Sequence, residues 1–333
     1  MTSQREVARA RAEDPLLTSV PLPYEQEFYP YGFLALVASN SPLVLAAAED
    51  SWGGFPRRFS TGPLKLRCLV SQSASGGLPP PPVVRAQRNL FVSVADAENF
   101  SSCDLSAGFA SSWVTQAVVA AREYFRYHVL EALAYTLLDA LHLVSVHAAC
   151  VALHGHGVLL AGDSGAGKSS LAYACARRGW TYCSDDSSSL VRRGTGRSVL
   201  GNPRVFRFRE TAAELFPEFS GMGESRRGNG KPTIEVQTAA LPEIRTARES
   251  RVDHIVFLNR RDATPGRAQL LPVIREDVLA RLLCDPWPAE LPARQERQAA
   301  VRRLAGAEAH EIRYRDLDVA VNCLEQLVLG GSQ

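Results

Sequence analysis

The sequence predicts a two-part α/β protein, with a smaller, mainly β segment over residues 1–105, a connecting helix over 106–142 and an α/β half over 143–333. Three observations predict it. From Tyr24 to about Val94 short apolar runs alternate with Gly, Pro and Ser clusters. Between Ser111 and Leu141 the apolar residues fall on a helical period. After Leu143 short apolar runs alternate with helical stretches around a glycine-rich loop.

In the first part the apolar runs are Gly32 to Val37, Leu43 to Ala46, Leu64 to Val70 and Asn89 to Val94. The tract Ser71 to Pro82 holds four consecutive prolines, which cannot donate to a sheet ladder, so it reads as an exposed loop. The connecting segment carries Val114, Ala117, Val118, Ala121, Phe125, Val129, Leu133, Leu137 and Leu141 at helical spacing, and predicts one long helix or two in series. Its aromatics Tyr124, Phe125 and Tyr127 read as core packing. The last part predicts strands at Val146 to Leu153, Gly157 to Leu160, Thr181 to Ser184, Ser188 to Arg192, Val205 to Phe208, Thr233 to Val236 and Asp253 to Leu258. Helices are predicted at Lys168 to Arg178, Glu210 to Phe216, Glu276 to Leu283, Ala293 to Leu304 and Leu317 to Leu329, with Gly179 just past the end of the first.

Composition excludes several classes. A hydrophobic fraction of 46% and a charged fraction of 22% are those of an ordinary folded domain. A formal net charge of +2 without a basic, aromatic-interleaved stretch gives no nucleic-acid surface. The 7 cysteines contain no CxxC pair, which argues against a zinc site and a disulfide framework. No apolar run reaches membrane-spanning length, and the N-terminus lacks the apolar core of a secretory signal. These readings give a cytoplasmic protein without membrane or nucleic-acid partners, compatible with a homo-oligomer.

The run Gly162, Asp163, Ser164, Gly165, Ala166, Gly167, Lys168, Ser169 matches G-x-x-x-x-G-K-[ST] at every fixed position, between an apolar run and a helical stretch. Successive backbone N–H groups of such a loop point into an anion-sized hollow, and the helix N-terminus adds positive potential. Lys168 would reach the β and γ phosphates of ATP, the Ser169 hydroxyl would ligate Mg²⁺, and Ser170 continues the phosphate-binding run. Downstream, Asp185 and Asp186 follow a short apolar strand. In a parallel sheet the carboxyl ends of neighbouring strands share an edge, so this pair should emerge beside the loop. Two adjacent carboxylates repel, and a metal relieves that repulsion. Asp185 is assigned to the metal and Asp186 to accepting the acceptor's proton, with exchange of the two roles left open.

Basic residues add candidates. The stretch Gly221 to Pro232 combines glycines with Arg226, Arg227 and Lys231, a composition suited to a mobile phosphate lid and equally to a solvated loop. Lys231 is conspicuous because the only other lysines are Lys65 and Lys168. Arg207 and Arg209 alternate along a predicted strand and share one face, and Arg204 precedes it.

His147, the loop 162–169, the helix ending in Arg177, Arg178 and Gly179, and the pair Asp185 and Asp186 together resemble the catalytic core of the HPr kinase/phosphorylase superfamily. The resemblance implies the fold shared with phosphoenolpyruvate carboxykinases, a mixed sheet holding the phosphate loop, over roughly 143–330. It places His147 near the transferred phosphate and an aspartate of the pair as base, with ATP and Mg²⁺ as cofactors. Two departures bear on the acceptor: Ser170 stands where HPr-directed members carry an acidic residue, and Gly201 to Arg209 lacks their signature glutamate. The expectation is an ATP-dependent kinase acting on a hydroxyl, typically of Ser, in a protein, peptide or small molecule other than HPr. The alternative is a nucleotide-gated regulator without kinase activity. A GTPase is disfavoured by the lack of [NT]-K-x-D, and a carboxykinase by the chain's length.

Overall fold

The computed structural model describes residues 21–71, 77–209, 211–220, 225–226, 232–283 and 291–330. They form two compact units, one ending at Leu141 and the other beginning at His142.

The first unit is built on strands β1 (Tyr24–Phe28), β2 (Ala35–Ser39), β3 (Leu64–Ser71), β4 (Val83–Gln87), β5 (Leu90–Val94), β6 (Phe100–Asp104) and β7 (Phe109–Thr115). They lie in the order β1-β2-β3-β7-β6-β5-β4, with β3 parallel to β2 and β7 and the other neighbours antiparallel. Two sequence expectations change here. Leu43 to Ala46 lies in a helix, Pro42–Trp52, because proline fits the first helical turn and the Ala-rich run after it favours helix. Residues 111–115 belong to β7, whose side chains from Ala110 to Thr115 are buried on both faces, so no strand alternation marks it. The helical stretch begins at Gln116, with the Thr115 hydroxyl accepting the Val118 N–H, and continues through a π-helical turn, Arg126–Glu131, into Ala132–Leu141. Of its aromatics Phe125 is buried, whereas Tyr127 is exposed.

The second unit carries β8 (Leu143–Val146), β9 (Ala148–Leu153), β10 (His156–Ala161), β11 (Thr181–Ser184), β12 (Ser188–Val191), β13 (Ser198–Leu200), β14 (Val205–Arg209), β15 (Ser225–Arg226), β16 (Pro232–Gln237), β17 (Arg245–Thr246), β18 (Glu249–Asn259), β19 (Gln269–Pro272) and β20 (Glu308–Arg313). The large mixed sheet runs β17-β11-β9-β10-β18-β13-β12-β8, with β20 on β18 and β19 on β20. β10 is parallel to β18, and β18 to β20, while β9 runs antiparallel between β10 and β11. A smaller sheet has the order β14-β16-β15.

Alternation along β10 builds two cores. Val158 and Leu160 pack beneath the helices Lys168–Arg177 and Leu317–Gly330, and Leu159 and Ala161 beneath Arg275–Leu282 and Leu291–Leu304. The sheet is thus covered by helices on both faces, the arrangement in which a strand reads as one continuous apolar run. Cys68, Cys103, Cys150, Cys175, Cys183 and Cys323 are free thiols, and Cys284 lies outside the described residues. Among the described residues no helix is long and apolar enough to cross a membrane.

Candidate functional site

Strand directions bring the chemistry to one edge. The phosphate loop leaves the carboxyl end of β10, and Asp185 and Asp186 follow the carboxyl end of β11. These strands are not the parallel neighbours expected from the sequence: β9 lies between them and pairs antiparallel with both. Two antiparallel steps restore the direction, so both ends still point to the same edge. For the same reason β9 starts there, with Ala148 opposite Ala161. His147, expected inside one strand over Val146 to Leu153, is instead the bend between β8 and β9 and lands beside the loop. Asp185 to Ser187 form the matching bend between β11 and β12. The Ser184 and Ser188 hydroxyls, 2.6 Å apart, close the second bend, and the Ser188 hydroxyl ties it to the first by donating to the Ala148 carbonyl at 3.0 Å.

In the loop, Gly165 (φ +89°) and Gly167 (φ +97°) hold left-handed conformations that glycine adopts without strain. The helix from Lys168 starts with no side-chain cap, which leaves its first N–H groups for a ligand. Lys168 is buried, and its ammonium donates to the Gly162 carbonyl (2.8 Å), the Asp163 carbonyl (3.3 Å) and His147 Nε2 (3.0 Å). An ammonium cannot accept, so Nε2 is the bare ring nitrogen and Nδ1 carries the proton. Nδ1 then donates to the Asp186 carbonyl at 3.0 Å, with Asp186 Oδ1 at 3.4 Å. Lys168, His147 and Asp186 form one hydrogen-bonded chain. The side chains of His147 and Asp186 are 57% and 40% exposed, so this end of the chain is open to solvent. Burial lowers the Lys168 ammonium below the usual lysine range, Asp186, Asp185 and Asp163 oppose that, and Arg209 adds to it.

Asp185 is the buried member of the pair. Its Oδ2 accepts the Arg207 N–H at 2.8 Å, and its buried Oδ1 has no hydrogen-bond partner. Burial pushes its carboxyl up to about 6, against the Ser169 hydroxyl beside it and the Arg207 amide, with the Asp186 charge adding to the rise. An unpaired carboxylate oxygen in a dry place is costly, and a cation there removes the cost.

Arg207 sits in the small sheet, which is held against the loop helix by rings. Tyr173 of that helix meets Phe206, Phe208, Phe216 and Phe219 at centroid distances of 4.8 to 5.4 Å, and Tyr182 of β11 stacks on Phe206 at 3.8 Å. Phe206 and Phe208 point into this cluster, so Arg207 and Arg209 take the other face of β14. Arg207 pairs with Glu235 at 2.8 Å, and Arg209 reaches the phosphate loop, where it donates to the Ser164 hydroxyl at 3.2 Å. Phe206→Ala should cost roughly 3–5 kcal/mol of stability, as for other large buried rings, with a smaller loss for Phe206→Leu; denaturant unfolding measures both.

Arg204 stands at the opposite end of β14, some 16 Å of extended chain from Arg209. Its amide bonds the Asn202 side chain and its carbonyl accepts from Thr238, so it caps the small sheet away from the loop. Arg227 and Lys231, with residues 221–224 and 227–231 of the lid expected there, lie outside the described residues. Two further residues reach the loop without a motif to mark them: Arg260, one residue beyond β18, and Tyr314, one residue beyond β20. The Tyr314 hydroxyl donates to the Ala166 carbonyl at 3.5 Å, and the Arg260 guanidinium carbon lies 5.9 Å from the Tyr314 ring centre. Their signal was positional: both follow the carboxyl ends of strands parallel to β10.

Residues 140–208 match the family model of the HPr Serine kinase C-terminal domain. The phosphate loop, His147 and both aspartates lie within the matched residues. Among solved structures, the Hpr(Ser) kinase/phosphatase from Coxiella burnetii is similar at 14% identity and a TM-score of 0.29, over 56% of this chain and 95% of that chain. No curated protein matches.

Proposed function

We propose that the second unit is an ATP-dependent kinase that transfers the γ-phosphoryl group to a hydroxyl, that of Ser in a protein or peptide or that of a small molecule. The observation that carries this reading is the chain from Lys168 through His147 to Asp186 at the mouth of the phosphate loop. Binding alone needs the loop and its lysine. Transfer needs in addition a base that an acceptor can reach, and the half-exposed Asp186 meets that need. In this reading Lys168 turns from the loop carbonyls and His147 to the phosphate oxygens, His147 holds Asp186 in place, and Asp186 takes the hydroxyl proton.

The residues fit Mg²⁺. Asp185 Oδ1 is buried and unpaired, and Ser169 stands beside it at the helix start. Among the described residues no cluster of three or more His, Cys, Asp or Glu side chains is set to hold a metal alone. That suits Mg²⁺, which keeps waters and phosphate oxygens among its six ligands. Asp185 and Ser169 would hold it, and when bound it would neutralise charge on the β and γ phosphates.

Ser170 and the absent signature glutamate favour an acceptor other than HPr. The test is an acceptor screen with γ-labelled ATP and Mg²⁺. Label in a stable phosphoester is expected. Steady release of free phosphate with every acceptor unlabelled would reduce the protein to an ATPase.

A further inference from the structure

The cations around the phosphate loop do not all come from the loop. Arg209 ends β14 in the small sheet, and Arg260 follows β18 in the large one. A Cβ built on Gly165 would lie 2.9 to 3.0 Å from the Arg209 guanidinium, and one built on Gly167 would lie 3.6 and 3.8 Å from Arg260 Cδ and its terminal nitrogen. Each guanidinium thus lies over one of the two left-handed glycines, on either side of Ala166. Gly165 admits the turn and also leaves room for Arg209 to approach the backbone, whereas the nearest atom to a Cβ at Gly167 would be the Tyr314 hydroxyl, at 3.0 Å.

Neutralisation by the described residues does not explain the arrangement. Arg207, on the same strand face as Arg209, has Glu235 as its counter-ion. Among the described residues neither Arg209 nor Arg260 has a carboxylate within salt-bridge distance; Arg209 meets only the Ser164 hydroxyl, and Arg260 the face of Tyr314. Arg209 also raises the cost of charging the buried Lys168, so these two cations oppose one another. An anion longer than one phosphate would relieve that opposition at several points. A single phosphate would engage the loop and Lys168 and leave an arginine on at least one side unanswered.

We propose that Arg209 and Arg260 are specificity-determining residues that make the loop select a triphosphate over shorter phosphate chains. This rests on the phosphate-loop reading given above. Arg209 is placed by the aromatic packing of β14 on the loop helix, and Arg260 by Tyr314, whose hydroxyl is in turn bonded to the loop. The planar fork of arginine suits adjacent phosphate oxygens, and lysine supplies only a point charge.

Calorimetric affinities of the full chain for Mg-ATP, Mg-ADP and inorganic tripolyphosphate test it, with Lys168→Ala as the control for the loop itself. Wild type should bind ATP and tripolyphosphate more tightly than ADP. Arg209→Gln and Arg260→Gln should each weaken ATP and tripolyphosphate about tenfold, the scale of one charge-assisted hydrogen bond, and narrow the ATP to ADP ratio. Arg→Lys at either site should recover only part. Wild-type ratios in both glutamine variants, with binding lost in Lys168→Ala, would overturn the proposal and leave the loop reading intact. Absence of polyphosphate binding by wild type would overturn both. Far-ultraviolet circular dichroism and the unfolding midpoint separate a lost contact from a lost fold.

Discussion

Replacing Asp186 by Asn should lower phosphoryl transfer by about 10²- to 10⁴-fold while nucleotide affinity changes only a few-fold. The substitution keeps the size of the side chain and removes its ability to take a proton. The backbone carbonyl that accepts the His147 N–H is untouched, so the chain from Lys168 to residue 186 survives. His147 then keeps the ring orientation that its two partners impose. The loop, its glycines and the helix N-terminus are also unchanged, and these carry most of the binding. A loss that appears in turnover and not in affinity marks an interaction made in the transition state. Rapid-quench turnover and calorimetric affinity, measured on the same preparation, check it. An equal loss in both would place Asp186 among the binding groups.

Asp185→Asn should do the reverse to stability. Burial raises the Asp185 carboxyl from its ordinary 3.8 to about 6, so the folded chain holds this proton more tightly than the unfolded chain does. Below about pH 4 the carboxyl is neutral in both states and carries no penalty. As pH rises to about 6 the unfolded chain ionises it freely and the folded chain does so at a cost, and above 6 the whole cost is present. Two units correspond to at most roughly 3 kcal/mol. Asparagine removes that cost and can still accept the Arg207 N–H, so the nucleotide-free variant should be more stable than wild type at pH 7. The gain should shrink as pH falls from 6 to 4. Transfer activity should fall sharply, because the neutral amide is a poor partner for Mg²⁺. Unfolding midpoints at pH 7 and pH 4.5 give the sign, and a variant less stable than wild type at pH 7 would contradict the account. Stability given up at one carboxylate in exchange for cation binding is a familiar trade at functional sites.

How legible these features were depends on what each one requires of neighbours distant in sequence. The loop from Gly162 to Ser169 is a local device whose spacing carries its own geometry, so strand, turn and helix were all readable. The contact between His147 and Asp186 is not local. It exists because β9 runs antiparallel between β10 and β11, and pairing direction leaves no mark on a buried run such as Ala148 to Val151. Strand β20 was missed because its sequence, Glu308 to Arg313, buries Ala309 and Ile312 without strict alternation. Leu43 to Ala46 misled because four apolar residues fit strand and helix equally, and Pro42 was the informative neighbour. Arg260 was hidden by abundance, since arginine is nearly the whole of the 37 basic residues, and Arg209 stood out only as sharing a strand face with Arg207. Arg204 looked equivalent to Arg209 in the sequence, yet the five-residue strand between them carries one to the loop and leaves the other at the far end.

The most direct test compares wild type and Asp186→Asn in one assay, with γ-labelled ATP, Mg²⁺ and a hydroxyl acceptor identified by the screen, both proteins saturated with nucleotide. The account predicts label in an acceptor phosphoester with wild type and at most a hundredth of that rate with the variant. Equal transfer by the two proteins would contradict it, because the Asp186 carboxylate would then not be the base that takes the hydroxyl proton.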